Sequence, residues 1–362
     1  GPLDAESTVR RLLTTDDFEA VTGHLEPGPG GTALVLRPIE KPWGPNYLHG
    51  GLVLASDLSG DSEFTLLADQ RRTWLNDDGL EWRNRVSLGH TNAIASELRE
   101  PLGAARRLFV APRVELAQRV RSLYLYGTAI ARYRLRELRG GVDTGVLLGN
   151  SGEFRLGVEA GRSDASRLIG SPLLPDSHER IIVWRGSLAI DRIDNLDFPR
   201  AGFRIEAQAR LARHILGGDE RYNRLSVDID RAFGGERWSL LFTARAQTAF
   251  GSSLPPNDAF YLGGFQNLSG YREDQVLANR VDFARVVYRH KVASVSPLLP
   301  ALYAGFSLEA ADVEKAVDLS RSSRLFAASV FVSADSALGP LYFGTGVAQG
   351  GYASVYVYLG RP

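Results

Sequence analysis

From Tyr47 to the end of the chain, apolar and polar residues alternate in segment after segment. Phe203, Ile205, Ala207, Ala209 and Leu211 interleave with Arg204, Glu206, Gln208 and Arg210. Leu302, Ala304, Phe306 and Leu308 interleave with Tyr303, Gly305, Ser307 and Glu309. A period of two sustained over such lengths predicts β-strands with one apolar and one polar face. Sixteen segments follow the pattern: 47–57, 63–74, 81–90, 92–101, 108–125, 129–148, 152–162, 179–191, 202–212, 221–232, 237–249, 280–291, 301–311, 323–336, 339–348 and 353–360. Between them no stretch longer than two helical turns has a helical period.

Alternation suits a soluble sandwich as well as a membrane barrel, and three features favour the barrel. Many segments reach the roughly 9–11 residues that a tilted strand needs to cross a bilayer. Connections near Asn150-Ser151, Gly234-Gly235 and Leu338-Gly339 are tight, whereas 163–178, 213–220, 250–279 and 312–322 are long and fall on one end of an up-and-down barrel. An even number of strands closes the sheet and leaves no edge. Hydrocarbon penalises each unpaired backbone group by several kcal/mol, and a lipid-facing arginine at mid-depth costs roughly 2–4 kcal/mol. Arg155, Arg204, Arg210 and Arg245 are therefore expected to face a wet interior. Arg132, Arg134 and Arg136 are expected there too, as a like-charged row relieved by acids such as Glu159 and Glu206.

Before Trp43 the pattern changes. Thr8 to Leu13 reads as a short helix capped by Ser7, followed by strands 18–26 and 32–40 around Pro27-Gly28-Pro29-Gly30-Gly31. That is too little for a core of its own, so residues 1–42 read as the tail of a small α+β module and 43–362 as the barrel. Gly1-Pro2 resembles the scar of a tag-cleaving protease.

The long connection after Phe250 is rich in Gly and Pro yet carries Phe260, Tyr261, Phe265 and Tyr271. So many aromatics predict a loop that folds back and packs inside something hollow. Net charge is zero and the arginines are spread along the chain, so bulk charge gives no argument for nucleic acid. The chain has no Cys, which excludes thiol chemistry, and no run of apolar residues long enough for a transmembrane helix.

The loop core Gly263-Gly264-Phe265-Gln266-Asn267-Leu268-Ser269-Gly270-Tyr271-Arg272 resembles the sixth-loop signature of the bacterial surface antigen superfamily of barrel-assembly and two-partner-secretion translocators. The signature is Val-Arg-Gly-Phe/Tyr, so Leu268-Ser269-Gly270-Tyr271 puts Ser269 where the family has Arg. The resemblance implies that Arg272 could substitute and that Glu309 is the acidic partner on the barrel wall, paired with Arg272. Asp191-Arg-Ile-Asp194-Asn195-Leu-Asp197-Phe198-Pro199-Arg-Ala-Gly202 is similar to a periplasmic turn of these proteins, and 339–360 to their last two strands. Glu40-Lys-Pro-Trp43-Gly-Pro-Asn-Tyr47, Arg71-Arg-Thr-Trp74-Leu-Asn76 and the loop variant look like a patatin-like phospholipase that carries its own barrel, a type Vd autotransporter. The fold so implied is all-β: a 16-stranded antiparallel transmembrane barrel in a Gram-negative outer membrane, with a partial POTRA module, residues 1–42, in the periplasm.

A patatin hydrolase needs a Ser on a Gly-x-Ser-x-Gly elbow. None occurs here; Gly149-Asn-Ser151-Gly-Glu153 reads as a turn. No catalytic residue is therefore assigned, and any lipase or esterase activity would belong to the parent protein. The six histidines lack metal-ligand spacing; His90 or His178 beside a Ser is the weaker reading of an outer-wall hydrolase. Asp191, Asp194, Asn195 and Asp197 suit turn capping better than Ca²⁺, so neither metal nor cofactor is expected. The function implied is a translocator that anchors and exports or displays a lipase passenger attached at its N-terminus. The alternatives are an insertase working through a seam between 47–57 and 353–360, weakened by Gly50, Gly51 and Gly360, and a passive diffusion pore. Expected partners are outer-membrane lipid or lipopolysaccharide, the passenger in cis, and the barrel-assembly machinery and periplasmic chaperones. A second copy of the chain is a further candidate.

Overall fold

In a computed structural model of the chain, residues 18–28, 31–40, 46–56, 62–103, 105–125, 127–214, 217–255, 257–294, 301–315, 323–336 and 339–360 are described. The expected helix at Thr8 to Leu13 lies outside them. Two antiparallel strands come first, β1 (Phe18–Gly28) and β2 (Gly31–Glu40), paired only with each other.

The remaining strands close a barrel. They are β3 (Asn46–Ser56), β4 (Ser62–Arg72), β5 (Glu81–Gly89), β6 (Thr91–Leu102), β7 (Leu108–Leu125), β8 (Thr128–Leu147), β9 (Gly152–Gly170), β10 (Ser177–Asp191), β11 (Gly202–Ala212), β12 (Asn223–Gly234) and β13 (Trp238–Thr248). After a three-residue strand β14 (Phe260–Leu262) come β15 (Val276–Ala293), β16 (Ala301–Lys315), β17 (Ser323–Asp335), β18 (Leu341–Ala348) and β19 (Tyr352–Leu359). Sixteen of these are staves of the wall, and each coincides with one segment read from the alternation; β14 belongs to the long loop. Every stave pairs antiparallel with its sequence neighbour, and β19 closes on β3.

The alternation sorts chemistry across this wall. Leu138, Val142, Leu156, Phe242, Leu308, Phe326 and Val330 are exposed on the outside. Arg155, Glu159, Ser307 and Glu309, from the same or adjacent staves, are buried inside. An apolar exterior of this extent is what a closed sheet presents to hydrocarbon.

Three expectations need correction. Residues 163–178 are not mainly a loop, because β9 runs on to Gly170 and β10 begins at Ser177. Likewise β16 continues to Lys315, which shortens the connection expected at 312–322. Arg132, Arg134 and Arg136 do not line the lumen. On β8 the inward set is Leu135, Glu137, Arg139 and Asp143, all buried, so the even-numbered arginines face outward. They stand above the nine-residue stretch Leu138 to Val146, which suffices to cross the apolar layer, so hydration there removes the need for an inward orientation.

The turn between β10 and β11 is capped as expected. Asn195 Oδ1 accepts the N–H of Asp197 (2.8 Å) and Phe198 (2.9 Å), and Asp194 Oδ1 accepts those of Arg200 (2.9 Å) and Ala201 (3.0 Å). Partial burial pushes the Asp194 carboxyl up, but the Ala201 and Arg200 N–H groups outweigh it and hold the carboxyl below its usual range. Its contribution is therefore complete at neutral pH and lost as pH falls through that lowered value.

Placing a charge on the outer face separates the two solvents. Val142→Arg, at mid-depth on β8, is expected to destabilise the barrel by roughly 2–4 kcal/mol. Arg136→Leu, just above, should change stability by less than about 0.5 kcal/mol. Urea titration of protein refolded into lipid vesicles, followed by Trp fluorescence, measures both.

Candidate functional site: the loop inside the barrel

The connection from Ala249 to Gln275 turns back into the lumen and touches two opposite parts of the wall. Its first anchor is Asp258. The carboxylate lies 3.0 Å from Arg210 and 3.5 Å from Arg139, and it accepts the Tyr222 hydroxyl. Arg224 Nε donates to the Asp258 carbonyl at 2.9 Å. Around this point the lumen is an ionic web. Glu159 contacts Arg113 (2.5 Å), Arg139 (3.4 Å) and Arg210, while Asp143 contacts Arg185 (2.7 Å) and Arg113 (3.2 Å). Arg155, expected inside, pairs with Glu97 (2.7 Å) and Glu153 (2.6 Å). Buried charges of both signs are tolerable here because acids and arginines of the web pair with one another.

From Asp258 the chain enters β14, which adds Phe260–Leu262 to β15 beyond the end of β13. The tip then folds on itself. Gly263 N–H donates to Asn267 O (2.8 Å) and Gly264 N–H to Tyr271 O (3.1 Å). Gln266 and Leu268 adopt left-handed backbones, with φ of 59° and 77°. Together these turns aim two successive N–H groups outward at one acceptor.

That acceptor is Glu309 on β16. Its Oε2 accepts Leu268 N–H (2.6 Å) and Ser269 N–H (2.7 Å), and its Oε1 accepts Ser269 Oγ (2.7 Å) and Ser307 Oγ (2.5 Å). Glu309 and Ser269 are almost fully buried. A buried carboxylate with this many donors is a strong fastening point. The expected ion pair between Glu309 and Arg272 is not formed. Arg272 lies beyond the tip, with its N–H on Gln275 Oε1 at 2.8 Å. Ser269, where the signature has Arg, makes the wall contact itself, because a hydroxyl on the residue that already donates its N–H reaches the second carboxylate oxygen.

The neighbouring residues seat the tip on the last staves. Gly270 has φ of 102°, and a Cβ there would lie 2.7 Å from the Ala348 nitrogen, so only glycine fits. Its N–H donates to the Tyr356 hydroxyl (2.7 Å), and that hydroxyl donates to Tyr271 O (3.1 Å). Tyr271 stacks on Tyr352 with ring centroids 4.6 Å apart. Phe265, 2% exposed, sits among Phe331, Tyr342, Tyr356 and Tyr358 at centroid distances of 5.2–5.8 Å. Arg245 and Arg285 add hydrogen bonds to Asn267 Oδ1 (3.0 Å) and Gln266 O (2.7 Å). Asp258, Tyr222 and Tyr356 were not singled out in the sequence, since a lone Asp in a loop and Tyr residues in strands carry no motif.

The closing seam is narrow. β19 and β3 share three residue pairs, Val357 with Ser56, Tyr358 with Ala55 and Leu359 with Leu54. Neighbouring β18 and β19 share eight. Gly50 and Gly51 lie on β3 below the paired stretch, opposite Ala68 and Leu67 of β4. Gly360 follows the end of β19 with φ of 101°, its N–H on Pro340 O at 2.8 Å. Gly360 lies against β3 beyond the third pair, where a Cβ would meet Val53 Cγ2 at 3.1 Å and Leu52 O at 3.3 Å.

The family model of the Omp85 superfamily domain matches residues 128–311, a little over half of the chain. The chain belongs to the Omp85 superfamily. No curated protein sequence matches it. Among solved structures, this Omp85 chain is similar to BamA from Haemophilus ducreyi lacking POTRA domains 1–3, with TM-score 0.75 and 12% identity over 98% of this chain and 77% of that one. It is also similar to CdiB from Acinetobacter baumannii (TM-score 0.63, 12% identity, 96% of this chain, 67% of that) and CdiB from Escherichia coli (0.63, 15%, 94%, 67%). Family and fold together make the protein a barrel of the Gram-negative outer membrane.

Glu309→Ala would leave two buried N–H groups without an acceptor, and is expected to cost about 2–4 kcal/mol and to free the tip. Ser269→Ala removes one hydrogen bond and should cost about 1–2 kcal/mol with the tip still bound. Hydrogen exchange over 263–275 reads both. Unchanged protection in Glu309→Ala would refute the role of the carboxylate.

Proposed function

We propose that the barrel is a translocator that anchors and exports or displays a patatin-like lipase passenger attached at its N-terminus. On this reading residues 1–42 are the end of a POTRA module in the periplasm and 43–362 form the barrel, with the hydrolase outside this chain. The observation that carries the proposal is the loop tip held on Glu309 inside a closed barrel, because a plug fastened to the wall mainly through side chains can be displaced while the wall's own ladders stay intact. The resemblance at 40–47, 71–76 and 262–271 supports the type Vd assignment. Lipopolysaccharide, the barrel-assembly machinery, periplasmic chaperones and a second copy of the chain are the partners such an arrangement implies.

The short seam supports a second reading, an insertase that opens laterally between β3 and β19. Ala55 and Tyr358 face each other across the seam, and directly opposed residues are close enough to consider a disulfide. Because residues 1–362 contain no Cys, Ala55→Cys with Tyr358→Cys places the only two thiols of the barrel at its seam. Oxidation should leave passenger export in the full-length parent intact if transport uses the lumen, and abolish insertion of other barrels if the seam is the working part. Removing residues 43–362 from the parent should trap the passenger in the periplasm, as judged by protease access in whole cells. Surface-exposed lipase without its barrel would defeat the translocator proposal.

A further inference from the structure

On four adjacent staves the outward face changes from apolar to polar at one level. Going up each stave, β7 presents Leu108, Val110, Val114 and Leu116, then Gln118. β8 presents Val146, Val142 and Leu138, then Arg136, Arg134 and Arg132. β9 presents Phe154, Leu156, Val158 and Ala160, then Arg162, and β10 presents Leu188, Trp184 and Ile182, then Arg180. The apolar stretch on each is about one hydrocarbon crossing long. The arginines therefore sit at its upper border, at the end where the long loop leaves the wall.

Register makes these groups neighbours. A single cross-strand row runs Val86, Ile94, Leu116, Leu138, Arg162, Arg180. Barrel staves tilt, so such a row crosses the apolar border obliquely, and its last two members are like charges directly opposed, which is unfavourable unless an anion intervenes. Arg180 contacts Asp219 at 3.4 Å and Arg136 contacts Gln118 at 2.9 Å. Among the described residues the guanidinium groups of Arg132, Arg134 and Arg162 have no ion-pair or hydrogen-bond partner. Asp164, the other carboxylate on this face, is held by His178 at 2.6 Å.

The opposite wall is built differently. There the border residues Arg280 and Asp282 pair with each other, as do Arg324 and Asp312 at 3.6 Å, and Glu314 adds negative charge. Among the described residues, the border arginines of β15–β17 are thus paired, whereas those of β8–β10 are in excess over acids.

Beside it lies a concavity. The β5–β6 hairpin turns at His90, level with Arg119 of β7, whereas β7 and β8 continue upward to Leu125 and Thr128. The step leaves a groove of about 450 Å³, floored by Leu88, Ile94, Leu116 and Leu138 and rimmed by Arg136, Arg162 and the Asp164 carboxylate that His178 holds, with Arg180 next to Arg162 just outside it. We propose that this groove binds a phosphate-bearing acylated lipid of the outer leaflet, with an acyl chain along the leucines and a phosphate monoester between Arg136, Arg162 and Arg180. Arginine forks suit phosphate oxygens, and a cation at the border of the hydrocarbon reaches a headgroup without entering the apolar layer. The site depends on the barrel's place in the outer membrane and not on what the barrel exports.

Native mass spectrometry of the intact barrel in non-ionic detergent tests this, with lipid A carrying phosphate monoesters, phosphate-free lipid A and inorganic phosphate as probes. Phosphorylated lipid A should be retained, and the phosphate-free form should bind at least about tenfold more weakly. Arg136→Gln, Arg162→Gln and Arg180→Gln together should weaken binding about a hundredfold, whereas Arg280→Gln with Arg324→Gln on the opposite wall should leave it unchanged. Heat-modifiable gel mobility confirms that each variant is folded, and Arg162→Gln alone, with a smaller loss, serves if the triple variant is not. Equal binding of both glycolipids, or equal loss from both walls, would overturn the proposal. Displacement of the lipid by millimolar inorganic phosphate would also overturn it, by showing a free-anion site.

Discussion

Hydrocarbon offers no hydrogen-bond partner, and every other feature of this protein answers to that constraint. A sheet immersed in such a solvent must return its last stave to its first. Here the return is made by three residue pairs between β19 and β3, far fewer than join any other neighbouring staves. Such a seam would be a weak point if pairing alone held it. β19 is fastened from inside instead, through the Tyr356 hydroxyl on Gly270 and Tyr271 and through the aromatic cage that Tyr356 and Tyr358 build around Phe265. The loop and the seam are therefore coupled mechanically, because freeing the tip removes the support of the stave that closes the wall.

The lumen solves a different problem. It holds many charges, and carboxylates and guanidinium groups interleave there from stave to stave. Asp258 brings one more carboxylate into that web from the loop. Glu309 does the reverse, a wall carboxylate that receives donors from the loop. The loop is thus a strut between two walls, polar at both ends and aromatic between. The backbone ladders that hydrocarbon enforces belong to the wall, whereas the loop is held to it mainly by side chains.

Outside, the same barrel has unequal sides. Extending β7–β10 beyond the apolar layer creates an outward surface that faces neither hydrocarbon nor lumen, and on it the arginines of β8 project. The expectation that they lined the pore rested on a rule that applies only within the hydrocarbon. A polar residue must turn inward at mid-depth, but above the layer either side is wet, so the strand period alone cannot say where the lipid ends.

Alternation over 47–360 was sufficient for the sixteen staves, their antiparallel order and the apolar exterior, since side-chain period and backbone pairing are local properties that hydrocarbon makes obligatory. The aromatics of 260–271 were sufficient to place the loop inside, since that much apolar surface needs cover. Motif and resemblance also pointed to Glu309 as the wall partner of the 268–272 tip, with Arg272 as the paired residue. They missed the form of the contact, because which donor reaches Glu309 depends on the left-handed turns at Gln266 and Leu268, and those are stable only against the floor that β18 and β19 provide. The Asp258 anchor, the three-pair seam and the basic border of β8–β10 were likewise decided by the stagger of staves around the closed wall, a relation among residues far apart in the chain that no local pattern carries.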